Sequence, residues 1–97
     1  MDFNLTEKEK LIKLLNLYKG HLNKKYTLIK FRNSYINPNT NNIQEAFGHM
    51  LWMIDEMYNM ENSEKANRWL GFIQGVFWVT NEFTIDEMRD HNKDLIS

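Results

Sequence analysis

Residues 64–81 constrain the fold of this chain more than any other stretch. Ala66, Trp69, Leu70, Phe72, Ile73, Val76, Phe77 and Val79 recur around a helical wheel, and only Asn67, Gln74 and Asn81 form a thin polar strip. A helix this apolar has to be enclosed by its own fold or shared between protomers. Gly71 and Gly75 lie four residues apart within it, flanked by Arg68 and Trp78. Each glycine costs a helix interior about 1 kcal/mol relative to alanine, so something must offset the loss. Two arrangements would do so. A neighbouring helix crosses closely over the glycine notch, or a bound molecule lies on it, held by the Arg68 guanidinium and stacked on Trp78.

The rest of the chain is punctuated for helices. Thr6 and Glu9 have the spacing of a capping box ahead of Leu11, Ile12, Leu14, Leu15 and Tyr18, and Gly20 makes a fitting stop. The spacing predicts a first helix over residues 7–19. Residues 21–36 read two ways: Leu22, Tyr26, Ile29 and Ile36 approximate a helical stripe, whereas Tyr26 to Phe31 would suit one short strand. A lone strand finds no partner elsewhere in the sequence, which favours helix. Pro38 then breaks the chain within Asn37-Pro38-Asn39-Thr40.

A second helix is expected from Asn41 or Asn42. Ile43, Ala46, Phe47, Met50, Leu51, Met53, Ile54, Met57 and Tyr58 cover half its circumference, opposite Glu45, His49, Asp55, Glu56 and Asn59. Asn62 and Ser63 cap the third helix. Thr84 with Glu87 is a capping box and Phe83 with Met88 a hydrophobic staple, starting a short fourth helix that runs from Ile85 to about Asn92. The expected architecture is all-α, a single helical domain over 1–97. It comprises a basic N-terminal helical arm (1–36), then an antiparallel helical hairpin with a short closing helix (41–92).

Composition removes several function classes. A chain of 97 residues makes one domain, and 42% hydrophobic residues is too many for a disordered one. The absence of cysteine excludes disulfide scaffolds, zinc knuckles and thiol catalysis. No apolar run approaches the roughly 20 residues that span a bilayer, and Met1-Asp2-Phe3-Asn4 is unlike a signal peptide, so a cytoplasmic location is expected. The net charge of −1 hides a split: residues 1–36 balance at +5 and residues 37–97 at −6.

Three groups of side chains are candidates for binding. Trp52 sits in the middle of the polar face of the second helix, one turn from Glu56, and Trp78 also falls outside the main apolar arc of its helix. Aromatic residues among charges are enriched at protein-binding hot spots, which makes Trp52, Glu56 and Trp78 a candidate partner surface. Second, Lys24, Lys25, Lys30 and Arg32 interleave with Tyr26, as in sites that pair phosphate attraction with base stacking, and Arg68 could join them. A sequence pI of about 6.3 weighs against duplex nucleic acid and leaves a small anionic ligand. The plainer reading of those lysines is a basic face docking on the acidic half of the chain.

Third, Glu61-x-x-Glu64 and Glu87-x-x-Asp90 have the outline of the magnesium motif of all-α nucleotide pyrophosphohydrolases. Asn62 and Ser63 put a helix boundary inside the first pair, which speaks against it. Glu45 with His49 and Glu87 with His91 have metal-ligand spacing but are ordinary surface pairs. No metal site, cofactor or catalytic residue is therefore expected.

Residues 38–94 resemble small accessory proteins that recur in tailed phages and prophages. The resemblance rests on Pro38-Asn39-Thr40, on the run Glu64-Lys65-Ala66-Asn67-Arg68-Trp69-Leu70-Gly71-Phe72-Ile73-Gln74-Gly75-Val76-Phe77-Trp78, and on Phe83 to Asn92. It implies context rather than mechanism. Such proteins commonly act stoichiometrically, by binding, as early host-takeover or anti-defence factors, and some are helical oligomers that sequester nucleotide signals of host immunity. The expectation is a non-enzymatic homo-oligomer that inhibits a host process, antiviral defence, by binding a host protein in the infected cell. A cyclic-nucleotide sponge is the alternative, with a pyrophosphohydrolase third.

Overall fold

The computed structural model describes residues 3–28, 30 and 43–96; the side chains of residues 43, 44 and 94–96 are outside that description. Four helices account for it: α1 (Leu5–Lys25), α2 (Ile43–Met57), α3 (Ser63–Val79) and α4 (Ile85–Ile96). No strand occurs among the described residues, so the protein is all-α. Residues 29 and 31–36, part of the stretch expected to be helical, lie outside them, as do Asn41 and Asn42.

α1 is longer at both ends than its punctuation suggested. The capping box is Asn4 with Glu7, not Thr6 with Glu9: the Glu7 amide donates to Asn4 Oδ1 at 2.8 Å, and the Asn4 amide donates to Glu7 Oε1 at 3.3 Å. Asparagine outranks threonine as an N-cap, and the earlier start adds two residues to the helix. Gly20 does not stop the helix, and it is not left-handed. The chain continues because Leu22, one turn beyond Tyr18, is fully buried, as Tyr18 is. Lys24 and Lys25 then meet the partial negative charge of the last turn. Residues 26–28 leave the helix, so the helical reading of 21–36 holds only as far as Lys25.

A Cβ built at Gly20 meets nothing within 4 Å. Gly20→Ala should therefore stabilise the protein by about 1 kcal/mol through helix propensity alone. Thermal melting would read this as a rise of roughly 4–8 °C for a domain of this size.

The contacts divide the chain into two units, residues 15–59 and residues 1–14 with 60–97, and α1 passes through both. In the first unit Leu15, Tyr18 and Leu22 of α1 are buried, as are Phe47, Met50, Leu51, Met53, Ile54 and Met57 of α2. The α2 residues belong to the arc read from the wheel. Tyr26 closes the set, its ring 5.1 Å from that of Phe47. The Tyr58 hydroxyl donates to Asn16 Oδ1 at 2.6 Å.

In the second unit the buried residues are Leu11 and Leu14 of α1, Ala66, Leu70, Ile73 and Phe77 of α3, and Met88 of α4. Asn62 caps α3, accepting from the Lys65 amide at 3.0 Å. The helix ends on a left-handed Asn81 (φ 62°), which lets the Glu82 and Asn81 amides donate to the carbonyls of Phe77 and Trp78. Asparagine tolerates that conformation better than most residues. Thr84 and Glu87 make the reciprocal capping box that their spacing implied, at 3.1 and 2.9 Å. α4 then runs past Asn92 to Ile96. A two-way amide pair, Gln74 with Asn92, ties α4 to α3. Phe83 packs edge-on between Phe77 and His91.

Candidate functional site

α3 carries two stripes of like spacing on opposite sides. Ala66, Leu70, Ile73 and Phe77 face the core of their unit. Arg68, Phe72, Gly75 and Val79 repeat the same spacing two residues later, and a two-residue offset on a helix is about 200°. Phe72 is 53% exposed, Trp78 53% and Val79 72%. The helix is therefore not enclosed by its own fold. Among the described residues no close crossing covers the glycine notch either: a Cβ at Gly71 or Gly75 meets nothing within 4 Å. Among the described residues no packing over the two glycines offsets their cost.

The outer face runs into a groove of about 360 Å³ at the carboxyl end of α3. Trp78, Asn81, Phe83, Thr84, Ile85, Asp86 and Glu87 line it. Ile85 is 45% exposed. The Asp86 side chain is almost wholly in solvent, 3.6 Å from a largely exposed Arg89. An aromatic wall beside carboxylates suits a cationic side chain.

Trp52 and Glu56 sit on α2, in the other unit from Trp78. Trp52 is half-buried, its ring stacked on His49 with centroids 5.5 Å apart and planes 22° from parallel. Glu56 is exposed one turn further on. Stacking on His49 favours this orientation of the indole, and an ordered side chain loses less rotamer freedom on binding.

The basic candidates separate. Lys30 donates to Asp55 Oδ2 at 2.6 Å and Lys19 donates to Oδ1 of the same carboxylate at 3.0 Å. Lys25 lies 5.6 Å over the Tyr26 ring, and Lys24 is exposed at the end of α1. Arg68 belongs to the other unit, and Arg32 lies outside the described residues. Lys19 is not among the basic residues that the sequence singles out, and its pairing with Asp55 is a tertiary contact. Docking of basic residues on the acidic half thus occurs at Asp55. The Asp55 carboxyl is raised by burial, but hydrogen bonds from Lys30 and Lys19 outweigh that and hold it below its ordinary value. The hydrogen bond to Asp55 raises Lys19 against the effect of burial. Burial pushes the Tyr58 phenol up, with Asp55 adding and Lys19 opposing.

A lowered carboxyl contributes stability in full above its ordinary value of 3.8, and loses it as pH falls through the lower folded value. Lys19 and Lys30 are 39% and 52% exposed, so the cluster is worth only about 1 kcal/mol or less. Asp55→Asn should flatten the acid limb of a stability–pH curve and leave the Gln74–Asn92 unit unchanged. An acid limb identical to that of the parent would show that Asp55 contributes nothing.

Among the described residues no group of three or more acidic or histidine side chains is placed to hold a metal ion. Glu61 precedes the Asn62 cap and Glu64 follows it, on either side of the start of α3. Burial lowers the His91 pKa, against the charges of Glu87 and Asp90. No helix among the described residues is long and apolar enough to cross a membrane. Compared with protein-family models, with curated proteins and with solved structures, the chain matches none.

Proposed function

We propose that this chain is a non-enzymatic phage accessory protein that inhibits a host process, antiviral defence, by stoichiometric binding of a host protein in the cytoplasm of the infected cell. It works as a homo-oligomer. The observation that carries the reading is Trp52: an indole half-buried on a polar helix face, stacked on His49 and followed by an exposed Glu56. Interface anchors are enriched in such residues, and a pre-oriented ring binds at a lower entropic cost. Trp52 and Glu56 form the contact with the host protein, and Trp78 serves contact between copies. The likeness of residues 38–94 to phage accessory proteins supplies the biological setting.

The test is capture from host lysate by the immobilised full-length chain. Trp52→Ala should lose the captured protein while keeping its helical circular dichroism. Undiminished capture by that variant would remove Trp52 from the site. Stabilisation of the chain by cyclic di- or trinucleotides, abolished by Lys25→Glu, would instead favour sequestration of a nucleotide signal.

A further inference from the structure

We propose that α3 of one protomer packs antiparallel against α3 of a second copy, across a two-fold axis at Gly75, with each Arg68 reaching the groove beside the other copy's Trp78. This deepens the homo-oligomeric part of the reading above and is independent of what Trp52 contacts.

The outer face of α3 is self-complementary in that arrangement. With the axis at Gly75, residues equidistant from it face one another. Gly71 comes opposite Val79, a notch against a branched side chain, and Phe72 comes opposite Trp78. All four are exposed on the face in question. Gly75 faces itself, and a glycine there lets the two backbones approach closely without a Cβ between them. Among the described residues nothing lies within 4 Å of a Cβ placed there. A shift of the axis to Gly71 destroys the match. Phe72 would then face Leu70, which is buried in the core, and Arg68 would face Gln74, which is bonded to Asn92.

Charge fixes the direction. In a parallel pair the two Arg68 guanidiniums would face each other at one end. In the antiparallel pair Arg68 lies opposite position 82, just beyond the end of the other α3. The terminal carbonyls there carry partial negative charge, and the exposed Asp86 carboxylate stands in the adjoining groove with Trp78 as its wall. Arg68 thus gains an ion pair and an aromatic face together, twice per dimer.

The absence of native cysteine makes the register directly testable. Gly75→Cys places one thiol per chain on the axis, within the Cα separation of about 4.4–6.8 Å that a disulfide accepts. Gly71→Cys sets its two thiols eight residues apart along the helices, about 12 Å, beyond bridging distance. Both substitutions enter open space on an exposed face. Mild oxidation of the full chain should convert Gly75→Cys to covalent dimer at least tenfold faster than Gly71→Cys. Equal rates would overturn the antiparallel register.

Sedimentation equilibrium of the unmodified chain should show a reversible dimer that Gly75→Leu converts to monomer. Arg68→Glu should weaken the dimer at least tenfold, and adding Asp86→Arg to it should restore most of the loss. A monomeric mass at every concentration up to millimolar would overturn the proposal. Loss of host-protein capture in Trp52→Ala, read on the same samples, reports on the separate contact.

Discussion

Phe77→Ala should lower the stability of the protein by about 3–5 kcal/mol, the usual range for truncating a fully buried phenylalanine. Phe77 has no exposed surface and packs edge-on against Phe83, which in turn meets His91 on α4. Its carbonyl also accepts the amides that close the end of α3, so a cavity there undermines the turn leading to α4. At roughly 4–8 °C per kcal/mol for a domain of this size, the melting midpoint falls by at least about 12 °C. Phe72, five residues earlier on the same helix, gives the contrast. It is 53% exposed. Phe72→Ala should change stability by no more than about 0.5 kcal/mol at concentrations where the chain is monomeric. Equal losses from the two substitutions would contradict the two-faced character of α3.

The second large effect is on binding. Truncating a central tryptophan costs an interface about 2–4 kcal/mol, which is about 30- to 700-fold in dissociation constant. Trp52→Ala should fall in that range for the host protein. His49→Ala should cost less, because it removes the ring beneath the indole and leaves the indole itself. Glu56→Ala removes a solvated charge at the edge of the contact. Its effect should be confined to the association rate and grow at low ionic strength. Surface plasmon resonance with the captured protein separates these three. A dominant effect from Glu56 would describe an electrostatic contact rather than an aromatic one.

Much of the helical frame was legible in the sequence because caps are local. Thr84 with Glu87 and Asn62 ahead of Lys65 satisfy amides within one turn, and both occur where their spacing put them. The start and stop of α1 were misread for a different reason. Two boxes compete two residues apart, and the choice between Asn4 and Thr6 depends on N-cap strength rather than on pattern. Gly20 resembled a stop because the burial of Leu22, which carries the helix past it, is tertiary. The left-handed Asn81 carries no mark that separates it from the chain's other asparagines.

The candidate surfaces were legible only in part. The wheel of α3 shows apolar residues all round, and it cannot tell which stripe its own fold will cover. Periodicity contains the answer in one respect, since 66-70-73-77 and 68-72-75-79 are the same pattern displaced by two. Only the first has bulky or branched residues at three of its four positions without a charge or glycine, which is what a core requires. The basic segment could not be resolved from composition, because Lys25 and Lys30, only five residues apart, have different partners.

The passage of α1 through both units has a consequence for biosynthesis. Residues 5–14 leave the ribosome well before residues 60–97, which make up the rest of their unit. Residues 15–59 form a unit of their own, whose residues have all emerged before those of the other unit are complete. Leu11 and Leu14 wait, uncovered, while that happens. Closing a loop of this length is the slow, non-local step of folding. Nascent chains halted before residue 60 should therefore expose a sticky amino-terminal half-helix, and this interval is when a chaperone would find the protein.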